Sequence, residues 1–394
     1  MRINLFLAGF IMASNSVYAD RPYAHEQLQL PQCLAQQITW PHAVLAENKQ
    51  FQIIELLASE LANLVSLADK VQCGHFINVS HKITATSLVE KQQVAQKLLQ
   101  QAAPASPTAS TTFYTIQHQE EVNTALNEVT AANIWQTLTA LTSFYNRSAT
   151  TTTGVATASW LQAAFEGMAT ASARTDTATF FVKTSRYRQP SLVTLIGKDI
   201  PGAALVLGAH MDTLDGHMPG AGDDGSGASS LMEMARVLLA SKLTLQRPIY
   251  IIWYAAEERG LVGSQNVVQY FLEHNIQVKA AIQFDMTGYR VDANDPTMWV
   301  YTDYTDKNLN KFVAELIQTY IHVPVNYSHC GYGCSDHASW TAANIPAAFP
   351  CESSYEAHNP YIHTPADTMA LLSLEHMTNF SKLALAFAIE LAVY

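Results

Sequence analysis

The stretch Ala204-Leu-Val-Leu-Gly-Ala-His210-Met-Asp212, followed after ten residues by Asp223-Asp224-Gly225-Ser226-Gly227, decides how the chain is read. Leu205, Val206 and Leu207 form a short apolar run of the kind a buried strand needs. His210 and Asp212 stand at its carboxyl end. The Gly/Ser turn then opens an apolar pattern, Leu231, Met234, Val237 and Leu238, at helical spacing. A strand, a loop bearing imidazole and carboxylates, then a helix is how an open α/β sheet builds a site at its strand ends. The residue types point to a metal.

Outward from this stretch, strand and helix patterns alternate. Helices are predicted from about Gln119, at 129–145 (Ile134, Leu138, Leu141 and Phe144 on one side) and at 160–168, with a turn at 150–154. Strands are predicted at 179–183, 192–196, 249–254, 280–284 and 298–301. Helices follow at 231–240, 267–272, 309–320 and 377–393. The expected class is α/β, a mainly parallel mixed sheet sandwiched by helices. The 394 residues suit two domains, with a boundary in the small, polar, proline-containing stretch Ala102 to Thr112. A linker at 102–118 would join a domain at 20–101 to one at 119–394.

The net charge of −11 argues against nucleic acid or an anionic membrane as partner, since both need a basic face. Arg2, the apolar run from Leu5 to Met12 and Val17-Tyr18-Ala19 read as a signal peptide over 1–19, so an exported protein is expected, periplasmic or extracellular. In an oxidising compartment the five cysteines pair where they can. Cys33 and Cys73, alone in the N-terminal part, are expected to pair with each other. Cys330 and Cys334 form a close second pair, and Cys351 is left over. Residues 20–101 are read as a small helical domain from the spacing of Ile53, Ile54, Leu57, Leu61 and Leu64 and of 89–99. His25, His75 and His81 lie there without carboxylates at ligand spacing and read as surface or hydrogen-bonded histidines.

The chemistry collects past strands and in late loops. Glu257 and Glu258 follow the strand at 249–254, Asp285 follows that at 280–284, and His363 stands in Ile-His-Thr-Pro-Ala-Asp-Thr. Nitrogen and carboxylate donors without thiolate suit zinc or a similar hydrolytic metal. Carboxylates converging on one crevice would repel unless cations held them. Of an adjacent Glu pair, one can bind metal and the other act as base. Asp212 could accept a hydrogen bond from the His210 ring and fix its tautomer.

Together the motifs Gly-Ala-His-Met-Asp, Gly-Asp-Asp-Gly-Ser-Gly, Tyr-Ala-Ala-Glu-Glu, Phe-Asp-Met-Thr, Cys-Gly-Tyr-Gly-Cys-Ser-Asp-His-Ala-Ser-Trp and Ile-His-Thr-Pro-Ala-Asp-Thr resemble those of the di-zinc aminopeptidases, the metallopeptidase family containing the secreted bacterial leucyl aminopeptidases. The resemblance runs from about Gln119 to Tyr394 and implies a zinc-exopeptidase-like fold and two zinc ions per chain. Asp223 would bridge them, His210 and Asp285 would complete one site, and Glu258 and His363 the other. Glu257 would be the general base and Asp212 the partner of His210. Tyr332, held by a Cys330–Cys334 disulfide, would face the developing oxyanion. Met286, Tyr301, Phe349, Cys351, Tyr355, His358 and Ile362 match the family's side-chain pocket.

The implied activity is release of N-terminal residues from peptides or proteins by a monomer. The first residue would be large and apolar or aromatic, or basic if Tyr301, Tyr355 and Phe349 hold a cation. The N-terminal domain resembles, in position and size, the propeptides of secreted aminopeptidases. It would assist folding or block the cleft and be removed near Pro104 to Thr112. Rival readings are a carboxypeptidase, whose carboxylate clamp could come only from Arg259 or Arg290, a glutaminyl cyclase, and a non-catalytic ectodomain, which predicts lost ligands that are not seen.

Overall fold

The computed structural model describes residues 25–100 and 112–394. The signal peptide and the 102–111 part of the linker lie outside the described residues. The N-terminal unit comprises β1 (His25–Pro31), α1 (Gln32–Ala35), β2 (Ala43–Glu47), β3 (Phe51–Leu57), α2 (Leu61–Val71), β4 (Ile77–Asn78) and α3 (Leu88–Gln100). Its sheet runs β2-β3-β1-β4 with antiparallel neighbours.

This corrects the expectation of a helical domain. Ile53 and Ile54 are adjacent and both fully buried, because a strand sends them to opposite faces. Ile53 joins Leu45, Val79, Ala95 and Leu99, while Ile54 joins Leu28, Leu30, Leu61 and Leu64. The helical spacing merged strand β3 with helix α2, which starts only at Leu61. Paired β-branched residues buried on both faces favour the strand. The helix predicted at 89–99 is α3. Cys33 and Cys73 are bonded, closing α1 onto the segment after α2.

Residues 112–394 form the larger unit, with α4 (Gln119–Leu126), α5 (Ala131–Thr142), α6 (Thr152–Ala171), β5 (Thr177–Val182), β6 (Ser191–Ile196), β7 (Ala204–His210), α7 (Gly227–Ala240), β8 (Ile249–Tyr254), α8 (Val262–Glu273), β9 (Val278–Gln283), β10 (Met298–Tyr301), α9 (Lys307–Leu316), β11 (Val325–Ser328), α10 (His337–Ala342), β12 (Ala347–Ala348), β13 (Pro350–Cys351) and α11 (Leu374–Ala392). The predicted turn at 150–154 is shorter than expected, since α6 begins at Thr152 with Thr151 capping the N–H of Gly154.

Six strands make the main sheet in the order β12-β9-β7-β8-β6-β5. The β12–β9, β9–β7 and β7–β8 pairs are parallel, and β8–β6 and β6–β5 are antiparallel. Every residue of β7 is buried. Leu205, Leu207 and Ala209 pack under α7 and α11, and Ala204 and Val206 pack on the face that carries α8. A strand covered on both faces must be apolar throughout, which is how 205–207 reads. Gly208 is required by close approach: a Cβ there would come 2.4 Å from the Tyr254 ring.

This order positions the site. Strands β9, β7 and β8 are parallel neighbours, so their carboxyl ends lie on one edge. His210 pairs with Tyr254, and Gly208 with Gln283. The loops carrying Asp212, Glu257 and Asp285 therefore leave the sheet side by side.

The N-terminal unit docks beside that edge. Asn78 N–H donates to Gly260 O (2.9 Å), and Gln265 Nε2 donates to Asn78 O (3.2 Å). The Tyr187 hydroxyl donates to Glu26, and Leu214 of the larger unit enters the N-terminal apolar core.

Cys330 and Cys334 are bonded as expected, and Cys351 is the buried free thiol. Titration of the unreduced, denatured protein should find one thiol per chain. Three or more would overturn the pairing.

Candidate metal centre and active site

The site begins where β7 ends. His210 is buried at the last position of the strand, and its Nε2 lies 2.8 Å from Asp223 Oδ1 and 3.5 Å from Asp285 Oδ1. On the other side of Asp223, Oδ2 lies 3.2 Å from His363 Nε2, which is itself 3.2 Å from Glu258 Oε2. Besides Asp69–His75–His363, two three-residue groups have their donor atoms within 4.8 Å of one another, His210–Asp223–Asp285 and Asp223–Glu258–His363. They share Asp223. The five predicted ligands, from four separate loops, are thus brought together.

The loops are held by backbone hydrogen bonds. Asp367 accepts N–H bonds from Gly222 (2.9 Å) and Asp223 (3.0 Å). Asp224, joined to Asp223 by a cis peptide, accepts from His210 N–H (3.2 Å), Gly227 N–H (2.8 Å) and Met286 N–H (3.1 Å), tying the end of β7, the start of α7 and the loop after β9 to one carboxylate. Gly227 has no room for a side chain, since a Cβ would sit 2.1 Å from Phe284 O. The fully buried Arg147 donates to Met211 O (2.8 Å), Pro219 O (2.6 Å) and Gly220 O (2.8 Å), and its charge faces Asp224, Asp367, Asp212 and Asp223. His363 and Met286 take left-handed backbone angles, φ +59° and +61°, a conformation that surrounding contacts must hold in place.

Asp212 departs in detail from its expected role. Its carboxylate lies 3.6 Å from His210 Nδ1, close enough for charge attraction but too far for a hydrogen bond. It accepts the N–H groups of Glu257 (3.0 Å) and Glu258 (3.3 Å) instead, fixing the loop after β8 against the loop after β7.

The electrostatics ask for cations. Burial pushes Glu258 up to about 7, with His363 opposing it, and burial takes Asp336 to about 7 and Asp367 to about 6. Burial also raises Glu257 well above its ordinary value. Burial works against charge on His210 and His363, yet the neighbouring Asp285 and Glu258 carboxylates draw both imidazoles toward the charged form. Among the described residues, the buried Asp285 Oδ1, 3.5 Å from His210 Nε2, has no hydrogen-bond partner. A set of nitrogen and oxygen donors, crowded with like charge and incompletely satisfied, fits a zinc-type ion at each group.

A single cleft opens over this floor. Glu257, Tyr332 and the expected pocket residues Met286, Tyr301, Phe349, Cys351, Tyr355, His358 and Ile362 all line it. Tyr332 sits between the two bonded cysteines and faces the Tyr355 ring edge-on, centroids 6.1 Å apart. Arg259 is paired with Asp215 and lies over the Tyr187 ring, and Arg290 pairs with Glu375 at 3.1 Å. Neither arginine lines the cleft, so the carboxylate clamp of a carboxypeptidase is not built from them.

The N-terminal unit, expected from the sequence to assist folding or block the cleft, contributes side chains to its lining. Ala68, Asp69, Gln72, His75 and Phe76 line it. His75, read from sequence as unconnected to chemistry, bonds Asp69 at 3.1 Å and stacks near Tyr332 with centroids 6.1 Å apart. Asp367 and Asp336 fall inside motifs already quoted from the sequence. Arg147 and Asp69 carry no such signal.

A model of peptidase family M28 matches residues 192–388. Leucine aminopeptidase 1 of Coccidioides posadasii is 37% identical over 294 residues, 70% of this chain and 75% of that protein. The crystal structure of the Legionella pneumophila LapA aminopeptidase is 67% identical, covers 94% of this chain and 99% of its own, and superposes with a TM-score of 0.90. LapB of the same organism is 43% identical, covering 94% of this chain and 100% of its own, with a TM-score of 0.87. Both structural matches extend across the linker into the N-terminal unit. The chain belongs to peptidase family M28.

Proposed function

We propose that this metallo-aminopeptidase works with two zinc ions, one held by His210, Asp223 and Asp285 and the other by Asp223, Glu258 and His363. The observation that carries this reading is Asp223, whose two oxygens face two different histidines at 2.8 and 3.2 Å. When bound, the zincs supply Lewis acidity that polarises the scissile carbonyl and acidifies a water.

The chain's own residues do the rest. Glu257, half-buried on the cleft floor, takes the proton of the attacking water and delivers it to the leaving amine. Its raised proton affinity suits a group that must accept, hold and then release a proton. The Tyr332 hydroxyl donates a hydrogen bond to the developing oxyanion. A free α-amine would reach the second metal group, Asp223, Glu258 and His363, which would confine cleavage to the first residue of a peptide or protein. Tyr301 and Phe349, centroids 5.0 Å apart, wall a pocket for a large apolar or aromatic side chain, and the same aromatic faces accept Lys or Arg.

The protein acts as an exported monomer in this reading. Two disulfides support export, and no described helix is long and apolar enough to cross a membrane. The N-terminal unit caps the cleft until the linker is cut, and the cleft-lining side chains of α2 and the segment after it support that role.

Chelation should abolish leucine-anilide hydrolysis, and zinc should restore it. Glu257→Gln should lower kcat by about 10²-fold or more while both zincs stay bound. A loss under tenfold would remove Glu257 from the base role. Asp367→Ala should weaken zinc binding by about 10–100-fold, measured by chelator competition, because the Asp223 loop loses its anchor. Cutting the linker and separating the halves should raise kcat/KM at least tenfold with zinc in excess. An unchanged rate would count against the cap.

A further inference from the structure

The two histidines of the centre are served differently. His210 has its carboxylate neighbour, Asp212, two residues away on the same loop, 3.6 Å from Nδ1. His363 Nδ1 is bonded to Asp69 Oδ2 at 2.8 Å, across 294 residues of sequence and from the other structural unit. Among the described residues, no other hydrogen bond to that nitrogen is seen. Asp69 is well fixed. It lies near the end of α2, whose Leu61, Leu64, Val65 and Ala68 are buried in the N-terminal core. Helix α2 ends at Val71, and the Cys33–Cys73 bond follows two residues later. The second carboxylate oxygen of Asp69 bonds His75 Nε2 at 3.1 Å.

We infer that Asp69 is a positioning residue for the metal ligand His363, so that the docked N-terminal unit completes the metal centre as well as covering it. By accepting the Nδ1–H proton, the carboxylate selects the tautomer whose Nε2 lone pair points at Asp223 and Glu258, both 3.2 Å away. It also steadies a residue at φ +59° in a loop that has no regular structure of its own. Asp69 reaches the nitrogen that faces away from the metal group, so it supports the ligand rather than displacing it. The docked chain therefore takes up its second metal more tightly than the chain without its cap. A unit that assists assembly and then leaves would do both jobs in that order.

The inference rests on the reading of His363 as a ligand, and one set of titrations separates the two. Zinc binding is measured on the full-length chain by competition with a chromophoric chelator, and cobalt(II) is used as a visible-absorption probe of ligand geometry. Wild type, Asp69→Asn, Asp69→Glu and His363→Ala are compared, with circular dichroism and the free-thiol count reporting that each is folded and oxidised. The expected result is two sites in wild type, one in His363→Ala, and in Asp69→Asn one site unchanged and the other weakened by about 10–100-fold with a shifted cobalt spectrum. Asp69→Glu should recover part of the affinity. If His363→Ala keeps both sites, the ligand assignment fails. If His363→Ala loses one site but Asp69→Asn binds both zincs within twofold of wild type, the assignment stands and the positioning role is overturned. Higher activity in Asp69→Asn at unchanged affinity would also overturn it, leaving Asp69 as part of a lid alone.

Discussion

Everything at the working edge of this protein depends on keeping several carboxylates close together inside it. Asp212, Asp223, Asp224, Glu258, Asp285, Asp336 and Asp367 are all buried within a few loops. Like charges in a low-dielectric region repel strongly, and burial alone drives carboxylates toward the neutral form. Three devices offset this. Backbone N–H groups point at Asp212, Asp224 and Asp367. The Arg147 guanidinium sits fully buried behind them. The remaining demand falls on Asp223, Glu258 and Asp285, which face histidines and invite metal ions.

The sheet makes this arrangement affordable. Parallel strands ending on one edge present their following loops together, and a stiff apolar sheet buried on both faces fixes where each loop starts. The loops themselves need further ties, because their side chains must converge within a few tenths of an ångström. Those ties are carboxylates that accept main-chain N–H bonds. Asp224 joins the ends of β7, α7 and β9, and Asp212 joins the ends of β7 and β8. Acidic residues here act as often on the protein's own backbone as on a ligand.

The N-terminal unit contributes to both the cleft lining and the surroundings of His363. Its interface mixes an apolar plug, Leu214, with polar contacts such as Glu26–Tyr187, so it resembles an interface between domains that can part. The same helix that lines one side of the cleft with Ala68 carries Asp69 to His363. In the proposed reading, access to the centre and the order of its ligands are linked through this one helix.

The sequence alone determined the larger unit closely. Predicted strands 249–254 and 298–301 coincide with β8 and β10, because each is an unbroken run of apolar residues, and the site residues were legible because each follows such a run or sits in a compact motif. Given an oxidising compartment, Cys33–Cys73 was legible because these are the only cysteines in the N-terminal part, and Cys330–Cys334 because they are close in sequence. The N-terminal sheet was not. Ile53 and Ile54 beside the Leu-rich start of α2 imitate a helical stripe, and only pairing with β1 and β2 distinguishes the two. Asp212 and Arg147 show the same limit: which atom a buried charge addresses is set by the spacing of loops, not by the residue's own neighbours. Asp69 is the clearest case. Nothing near it in the sequence marks it, and its place beside His363 exists only because the two units pack together. Local pattern dictates elements and their end-residues, since those follow from short-range burial and periodicity. Contacts across hundreds of residues are decided by packing.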